Sequence, residues 1–150
     1  MDDIDRQLLG ILLADGRATY QELAKRVRLS ANTTADRVRR LRGAGVIRGY
    51  RAELDLPTLG RSLVMITDLR LRDDVPSDDF HQSLAEIPQV VAAAHTTGEY
   101  DYQLRIACRD AVEFERVVDR LKRHHGVRES RSRLLLRELP LGVDRILDLA

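Results

Sequence analysis

Apolar residues recur at helical spacing through the first third of the chain. The first helical face is formed by Ile4, Leu8, Ile11 and Leu12. Thr19, followed three residues later by Glu22, forms a capping box that predicts the start of a second helix. Ser30 is a suitable N-cap for a third helix, and Gly43 predicts its end. Three helices with a short break between the second and third predict a helix-turn-helix.

The pattern changes after the third helix. Residues 46–54 have the pattern of a strand or a wing. The segment Pro57-Thr58-Leu59-Gly60 then separates two halves that follow different patterns. The sequence therefore predicts a helix-turn-helix domain with a linker strand at 1–60 and a second domain at 61–150.

The second half alternates between strand and helix patterns in the order β-α-β-β-α-β. Strands are predicted at 63–72, 90–96, 102–108 and 127–137. Helices are predicted to begin after the caps Ser77 and Asp110. This order is typical of a ferredoxin-like domain, with a four-stranded antiparallel sheet and both helices on one face. The predicted fold class is α+β: an N-terminal winged helix-turn-helix and a C-terminal ferredoxin-like βαββαβ domain.

Two features of the second half predict contacts with another chain. The open face of the sheet needs a cover, and homodimerisation, sheet against sheet, provides one. After the last strand, an apolar tail with Val143, Ile146 and Leu147 could dock on a partner.

The distribution of charge adds a candidate ligand. The net charge of +1 over 150 residues says nothing by itself about nucleic acid. Residues 28–51, however, contain seven arginines and a single acid, Asp36. Such a patch can neutralise phosphates even on a near-neutral protein. The alternative is a solvated helix face that neighbouring acids balance.

The third helix provides side chains that could read DNA in the major groove. Its inner face is predicted to hold Thr34, Val38 and Leu41. On the outer face, Asn32 could bond adenine, and Arg37 or Arg40 could bond guanine. Thr33 suits a thymine methyl or a phosphate, and the other arginines suit phosphates. The predicted DNA-binding residues are Ser30, Asn32, Thr33, Asp36, Arg37, Arg39, Arg40, Arg42 and Arg48.

Other classes of site find no support in the sequence. Cys108 is the only cysteine, and the four histidines have no metal-site spacing with it. No catalytic residue, metal or cofactor is therefore predicted. The chain starts with acidic residues and has no apolar run near the ~18 residues of a transmembrane helix, so we expect a cytoplasmic protein without a membrane partner.

Several segments in order resemble the Lrp/AsnC family of transcription regulators over essentially the full chain. They are Asp2-Asp3-Ile4-Asp5-Arg6-Gln7-Leu8-Leu9, Gly16-Arg17, Glu22-Leu23-Ala24, Leu29-Ser30, Arg37-Val38-Arg39-Arg40-Leu41, Gly45-Val46-Ile47-Arg48-Gly49-Tyr50 and Thr97-Gly98-Glu99-Tyr100-Asp101-Tyr102. The resemblance implies a regulator that binds double-stranded DNA and forms dimers, often assembled into tetramers or octamers. Asp36 departs from a purely basic DNA face, and Ala31 stands where many members have proline.

The resemblance also implies an effector site at the turn formed by residues 97–101. In several members of the family, this turn binds an amino acid at a subunit interface. The predicted effector-binding residues are Thr97, Gly98, Glu99, Tyr100, Asp101 and Ser132, and Ser130 is a further candidate. Gly98 would let backbone approach the ligand. Asp101, or alternatively Glu99, could take an α-ammonium, and free N–H groups could take a carboxylate. The alternative is a turn that only connects two strands and packs between dimers.

Two other functions are kept beside DNA-dependent regulation. Some sirohaem decarboxylases resemble this family in fold, and His95, His124 and nearby arginines could serve such a reaction. The basic third helix argues against that alternative, so no enzyme is predicted. A DNA-compacting architectural protein would bind with weak sequence preference and wrap DNA.

Overall fold

The computed structural model describes residues 1–139 and 141–147. These residues form two compact units. The first contains Met1–Glu53 and the described residues from Leu139 onwards, and the second contains Leu54–Glu138. The sequence prediction placed every residue after 60 in the second domain. The structure instead groups the C-terminal segment with the N-terminal helices.

The first unit is built on the helices α1 (Asp3–Ala14), α2 (Tyr20–Val27) and α3 (Ala31–Gly43). Each begins after a side chain that accepts a backbone N–H, which stabilises the helix end. The capping box at Thr19 and Glu22 is confirmed, and Asp2 and Asp5 form a second box on α1. The core of the unit contains Leu8, Leu23, Val27 and Val38.

Three residues connect α2 to α3. Arg28 takes a left-handed conformation with φ of 56°, which costs a residue with a Cβ about 1 kcal/mol. The N–H of Leu29 donates to the carbonyl of Ala24 at 3.0 Å and closes the end of α2. Ser30 then caps α3. The short connection confirms the helix-turn-helix.

The second unit follows the predicted βαββαβ order. Its strands are β1 (Leu63–Leu71), β2 (Val90–His95), β3 (Tyr102–Cys108) and β4 (Val127–Leu134). Its helices are α4 (Ser77–Ser83), a 3₁₀ helix (Leu84–Glu86) and α5 (Ala111–His124). The antiparallel sheet has the order β2-β3-β1-β4, which is the ferredoxin-like arrangement.

One face of this sheet carries the core of the second unit. Alternate residues of β1 and β3 point to this face, because the side-chain period of a strand is two. The core comprises Leu69, Leu71, Phe80, Leu84, Ile87, Tyr102, Leu104, Ile106, Cys108, Val117, Leu121 and Val127. Both helices contribute to it, so they cover the same face and leave the other open.

Gly126 ends α5, as the sequence predicts, for two physical reasons. Its φ of 71° favours glycine. A Cβ at this position would also clash with Cγ2 of Val75. Both effects disfavour any other residue at this turn.

Three details of the sequence prediction are wrong. No strand forms at 46–54 within the described chain, because a strand needs a neighbour to share its hydrogen bonds. Pro76, not Ser77, is the N-cap of α4, and no side chain caps it. Three strands end earlier than expected; β4 stops at Leu134 because its partner strand β1 begins at Leu63.

Among the described residues, we find no helix with the length and apolar character needed to span a membrane.

Candidate DNA interface and effector turn

The third helix, α3, has one buried and one exposed side. Thr34, Val38 and Leu41 are buried, as predicted. Asn32 and Thr33 at the start of the helix are exposed. The end of the helix that would read bases is therefore open to solvent.

Arg37 is the exception among the predicted DNA contacts. Its Nη1 lies 2.7 Å from Oδ2 of Asp2 and 2.9 Å from Oδ1 of Asp5. The side chain of Arg37 is only 21% exposed, whereas that of Arg40 is 63% exposed. The outward orientation expected from helical spacing does not hold for Arg37, because two carboxylates at the start of α1 bind its guanidinium.

Asp5 is the buried centre of this cluster. Its side chain accepts hydrogen bonds from Arg37 at 2.9 Å and from Arg40 at 3.0 Å and 3.2 Å. Burial acts to raise the pKa of Asp5, but Arg37 and the backbone N–H of Asp2 outweigh burial and lower that pKa. The two carboxylates also raise the pKa of Arg37. The cluster therefore fixes α3 on α1 through charged hydrogen bonds.

Sequence reasoning missed the role of Asp2 and Asp5. The available signal was an Asp-x-x-Asp capping box at the start of α1, together with the excess of arginine on α3. Nothing in helical periodicity brings these segments together, since 32 residues separate Asp5 from Arg37.

The other predicted DNA contacts lie on the exposed surface of the first unit. Asp36 pairs with Arg39 at 2.6 Å, so the acid offsets one arginine of the patch. The hydroxyl of Ser30 accepts the backbone N–H of Thr33 at 3.1 Å, which uses Ser30 as a cap. Arg42 and Arg48 are exposed, and neither forms an ion pair within the described chain.

The predicted effector turn follows β2 and is held by backbone contacts. The carboxylate of Asp101 accepts the backbone N–H of Leu71 at 2.8 Å, and the N–H of Asp101 donates to the carbonyl of Leu69 at 2.8 Å. One carboxylate oxygen of Asp101 is thus already engaged. Gly98 has a φ of 112°, and a Cβ there would meet no atom within 4 Å. Its backbone conformation, rather than crowding, favours glycine.

Arg70 organises the same turn from β1. Its Nε and Nη2 donate to the carbonyl of Glu99 at 2.9 Å and 2.6 Å. Its guanidinium lies 5.5 Å from the centre of the Tyr100 ring, within cation–π range. The hydroxyl of Tyr100 donates to Glu129 at 3.3 Å. Sequence reasoning missed Arg70 and Glu129, because contacts across the sheet fix them here.

Ser132 lies on β4, away from the residues of the turn in sequence. Its hydroxyl is 3.0 Å from that of Thr67, the neighbouring residue on β1. The turn's own exposed members are Thr97, Gly98 and Glu99. The accessible acid is Glu99, whose side chain is 68% exposed and lies 3.7 Å from Arg70.

The open face of the sheet combines apolar and charged residues. Val64, Ile66 and Asp68 follow one another at every second position of β1 on this face, and all three are partly exposed. Asp68 accepts a hydrogen bond from Gln103 at 2.9 Å and pairs with Arg133. Such a face offers apolar contact with paired charges around it.

No group of three potential metal ligands occurs among the described residues. His95 stacks on Tyr102 with ring centres 4.6 Å apart, and His81 meets the same ring edge-on. Burial, followed by the charge of Arg120, lowers the pKa of His125. All three histidines belong to the second unit.

Comparison with known proteins identifies both units. Residues 1–42 match the AsnC-type helix-turn-helix domain family, and residues 63–141 match the Lrp/AsnC ligand binding domain family. The chain is 36% identical over 136 residues to the HTH-type transcriptional regulator LrpA of Mycobacterium tuberculosis, covering 91% of this chain and 90% of that protein. It is 31% identical over 142 residues to the leucine-responsive regulatory protein of Escherichia coli, covering 93% and 87%.

Solved structures give the same result. A crystal structure of the transcriptional regulator NMB0573 from Neisseria meningitidis, in complex with L-Met, has a TM-score of 0.86 and 32% identity, covering 96% of this chain and 95% of that chain. The crystal structure of M. tuberculosis LrpA has a TM-score of 0.80 and 34% identity, covering 93% and 94%.

Proposed function

Because the chain belongs to the Lrp/AsnC family of transcriptional regulators, we propose that a homodimer of it binds double-stranded DNA through paired α3 helices. The exposed polar start of α3 carries this proposal. A dimer would place the two helices in successive major grooves, about 34–36 Å apart, on a pseudo-palindrome. Its relatives are regulators rather than enzymes, and a DNA partner would place the protein in the cytoplasm.

Side chains of α3 divide by their contacts. We assign base reading to Asn32 and Thr33, because they are exposed at the start of the helix, where a recognition helix meets base edges. Arg40 binds Asp5 through Nη2 but keeps 63% of its side chain exposed, so it stays a candidate for base reading. Arg37 becomes a positioning residue, since Asp2 and Asp5 occupy its guanidinium. Arg39, Arg42 and Arg48 suit phosphates. Ser30 caps the start of the helix, and Asp36 offsets the charge of Arg39.

Dimerisation is proposed through the open sheet face. Val64 and Ile66 supply apolar area, and the ion pair between Asp68 and Arg133 satisfies charges that a partner would otherwise bury. We also propose further assembly into tetramers or octamers, as the family resemblance implies.

An amino acid is the proposed effector, at the turn 97–101. The relative NMB0573 was crystallised with L-Met, which supports this class of ligand. Glu99 is the more accessible acid for an α-ammonium, because the backbone of β1 already holds one oxygen of Asp101. The effector would change regulation only through different affinities for two assemblies.

The DNA proposal is tested by fluorescence anisotropy with a selected operator and with random DNA. Asn32→Ala should lose about tenfold affinity for the operator and leave random DNA unchanged, since a good base contact contributes roughly 1–3 kcal/mol. Gln82→Ala, an exposed polar change on α4, is the matched control. Equal operator affinity in wild type and Asn32→Ala would remove Asn32 from base reading.

The effector proposal is tested by thermal shift with the twenty amino acids. Glu99→Gln should abolish the shift that a binding amino acid produces, because the α-ammonium loses its partner. Glu115→Gln, an exposed change on α5, should keep the shift. A full shift in Glu99→Gln together with none in Asp101→Asn would transfer the role to Asp101.

A further inference from the structure

The first unit has an apolar groove outside its core. The groove lies between α1, residues 46–51 and the C-terminal 3₁₀ helix (Val143–Leu147) and has a volume of about 600 Å³. Apolar residues from the helices line it: Leu9, Leu12, Leu13, Val143, Ile146 and Leu147. The two ends of the chain therefore meet within one unit.

Leu9 of α1 lines this groove together with the C-terminal residues. It is only 8% exposed, although it does not belong to the core cluster of Leu8, Leu23, Val27 and Val38. Leu9 instead lines the groove, where the C-terminal 3₁₀ helix packs against α1. Leu147 supplies the apolar contact, because it is partly buried, whereas Val143 and Ile146 are 62% and 75% exposed. Leu141, by contrast, is 69% exposed and does not line the groove.

We propose that the C-terminal segment Val143–Leu147 acts as a second attachment of the DNA-binding unit and restricts its orientation. This inference rests on the proposed function. The covalent chain joins the two units twice, once after Glu53 and once after Glu138. The first connection follows residues 46–51, which belong to the first unit and line the same groove as Val143–Leu147.

A second attachment has a definite physical consequence. It closes a loop and so reduces the orientations open to the unit, with a high effective concentration of the docking segment. A dimer whose recognition helices are restricted should bind half-sites at one spacing far better than at others. Releasing the segment should therefore relax the spacing requirement rather than remove base recognition.

The DNA experiment compares Leu147→Ser with Leu141→Ser, the same substitution outside the groove. Each is titrated against DNA with half-sites one helical turn apart and against DNA lengthened by about five base pairs, half a turn. Wild type and Leu141→Ser should keep a strong preference for the first spacing. In Leu147→Ser the ratio of affinities should fall about tenfold. An unchanged ratio in Leu147→Ser overturns the proposal.

Hydrogen exchange without DNA gives an independent readout. Amides of α1 near Leu9 should exchange faster in Leu147→Ser than in Leu141→Ser, because the docked segment no longer covers them. Equal exchange contradicts docking. A wild-type protein that binds no DNA would refute the proposed function but would leave docking of the C-terminal segment untouched. Hydrogen exchange tests that docking independently of DNA. Leu147→Ala replaces the serine variant if the latter does not fold.

Discussion

The recognition helix and the effector turn can be compared directly, because in each a charged residue proposed as a ligand is already bound inside the protein. In α3, Arg37 is held by Asp2 and Asp5. In the turn, Asp101 is held by the backbone N–H of Leu71. The two differ in burial and charge: α3 is fixed by ion pairs around the buried carboxylate of Asp5, whereas Asp101 in the turn is held by hydrogen bonds to the backbone of β1. The side chains left for ligands are their exposed neighbours.

This comparison predicts that removing the carboxylate that binds α3 destabilises the protein more than removing the carboxylate in the turn. Asp5→Ala should lower the stability of the protein by roughly 3 kcal/mol, because it leaves Arg37 and Arg40 without their buried partner. Chemical denaturation followed by circular dichroism measures the change. Asp3→Ala is the control, since Asp3 is 88% exposed and pairs only with Arg6 on the surface. Equal stability of both variants would show that the cluster does not hold α3.

Acid should act on the same contact. The pKa of Asp5 is lowered in the folded protein, so its contribution is present above its ordinary pKa and is lost as pH falls through the lowered value. The wild-type protein should therefore lose stability more steeply than Asp5→Asn between neutral and acidic pH. Parallel stability curves would contradict this assignment.

A smaller effect is expected at the turn. Asp101→Asn should cost about 1 kcal/mol, because an amide oxygen can still accept the N–H of Leu71 but forms a weaker hydrogen bond than a carboxylate. Thermal unfolding checks this value. Glu115→Gln, an exposed change on α5, provides a surface reference. A loss as large as that of Asp5→Ala would remove the difference between the two regions.

The smallest change concerns a phosphate contact. Arg42→Ala should leave stability unchanged and should reduce the slope of log K against log salt concentration by about one, because one fewer counterion is released. Arg72→Ala, half exposed in the second unit, should keep the wild-type slope. A wild-type slope in Arg42→Ala would place that arginine away from DNA.

The periodicity of the sequence predicted those features of the fold that depend on residues close together in the chain. The three helices, the βαββαβ order and the inner face of α3 follow from spacings of three to four residues or of two. The partners of Arg37 and Asp101 could not be predicted in this way, because they come from segments about 30 residues distant. The same limit applies to Leu147, which the sequence analysis expected to dock on a partner chain and which lies beside α1 of its own chain.

Selection from a pool of random DNA tests the central claim most directly. Wild-type protein should enrich pseudo-palindromes whose half-sites lie one helical turn apart, and Asn32→Ala should lose or alter the enriched half-site. Enrichment of no sequence, or of the same sequence by both proteins, would contradict the assignment of α3 as the helix that reads DNA.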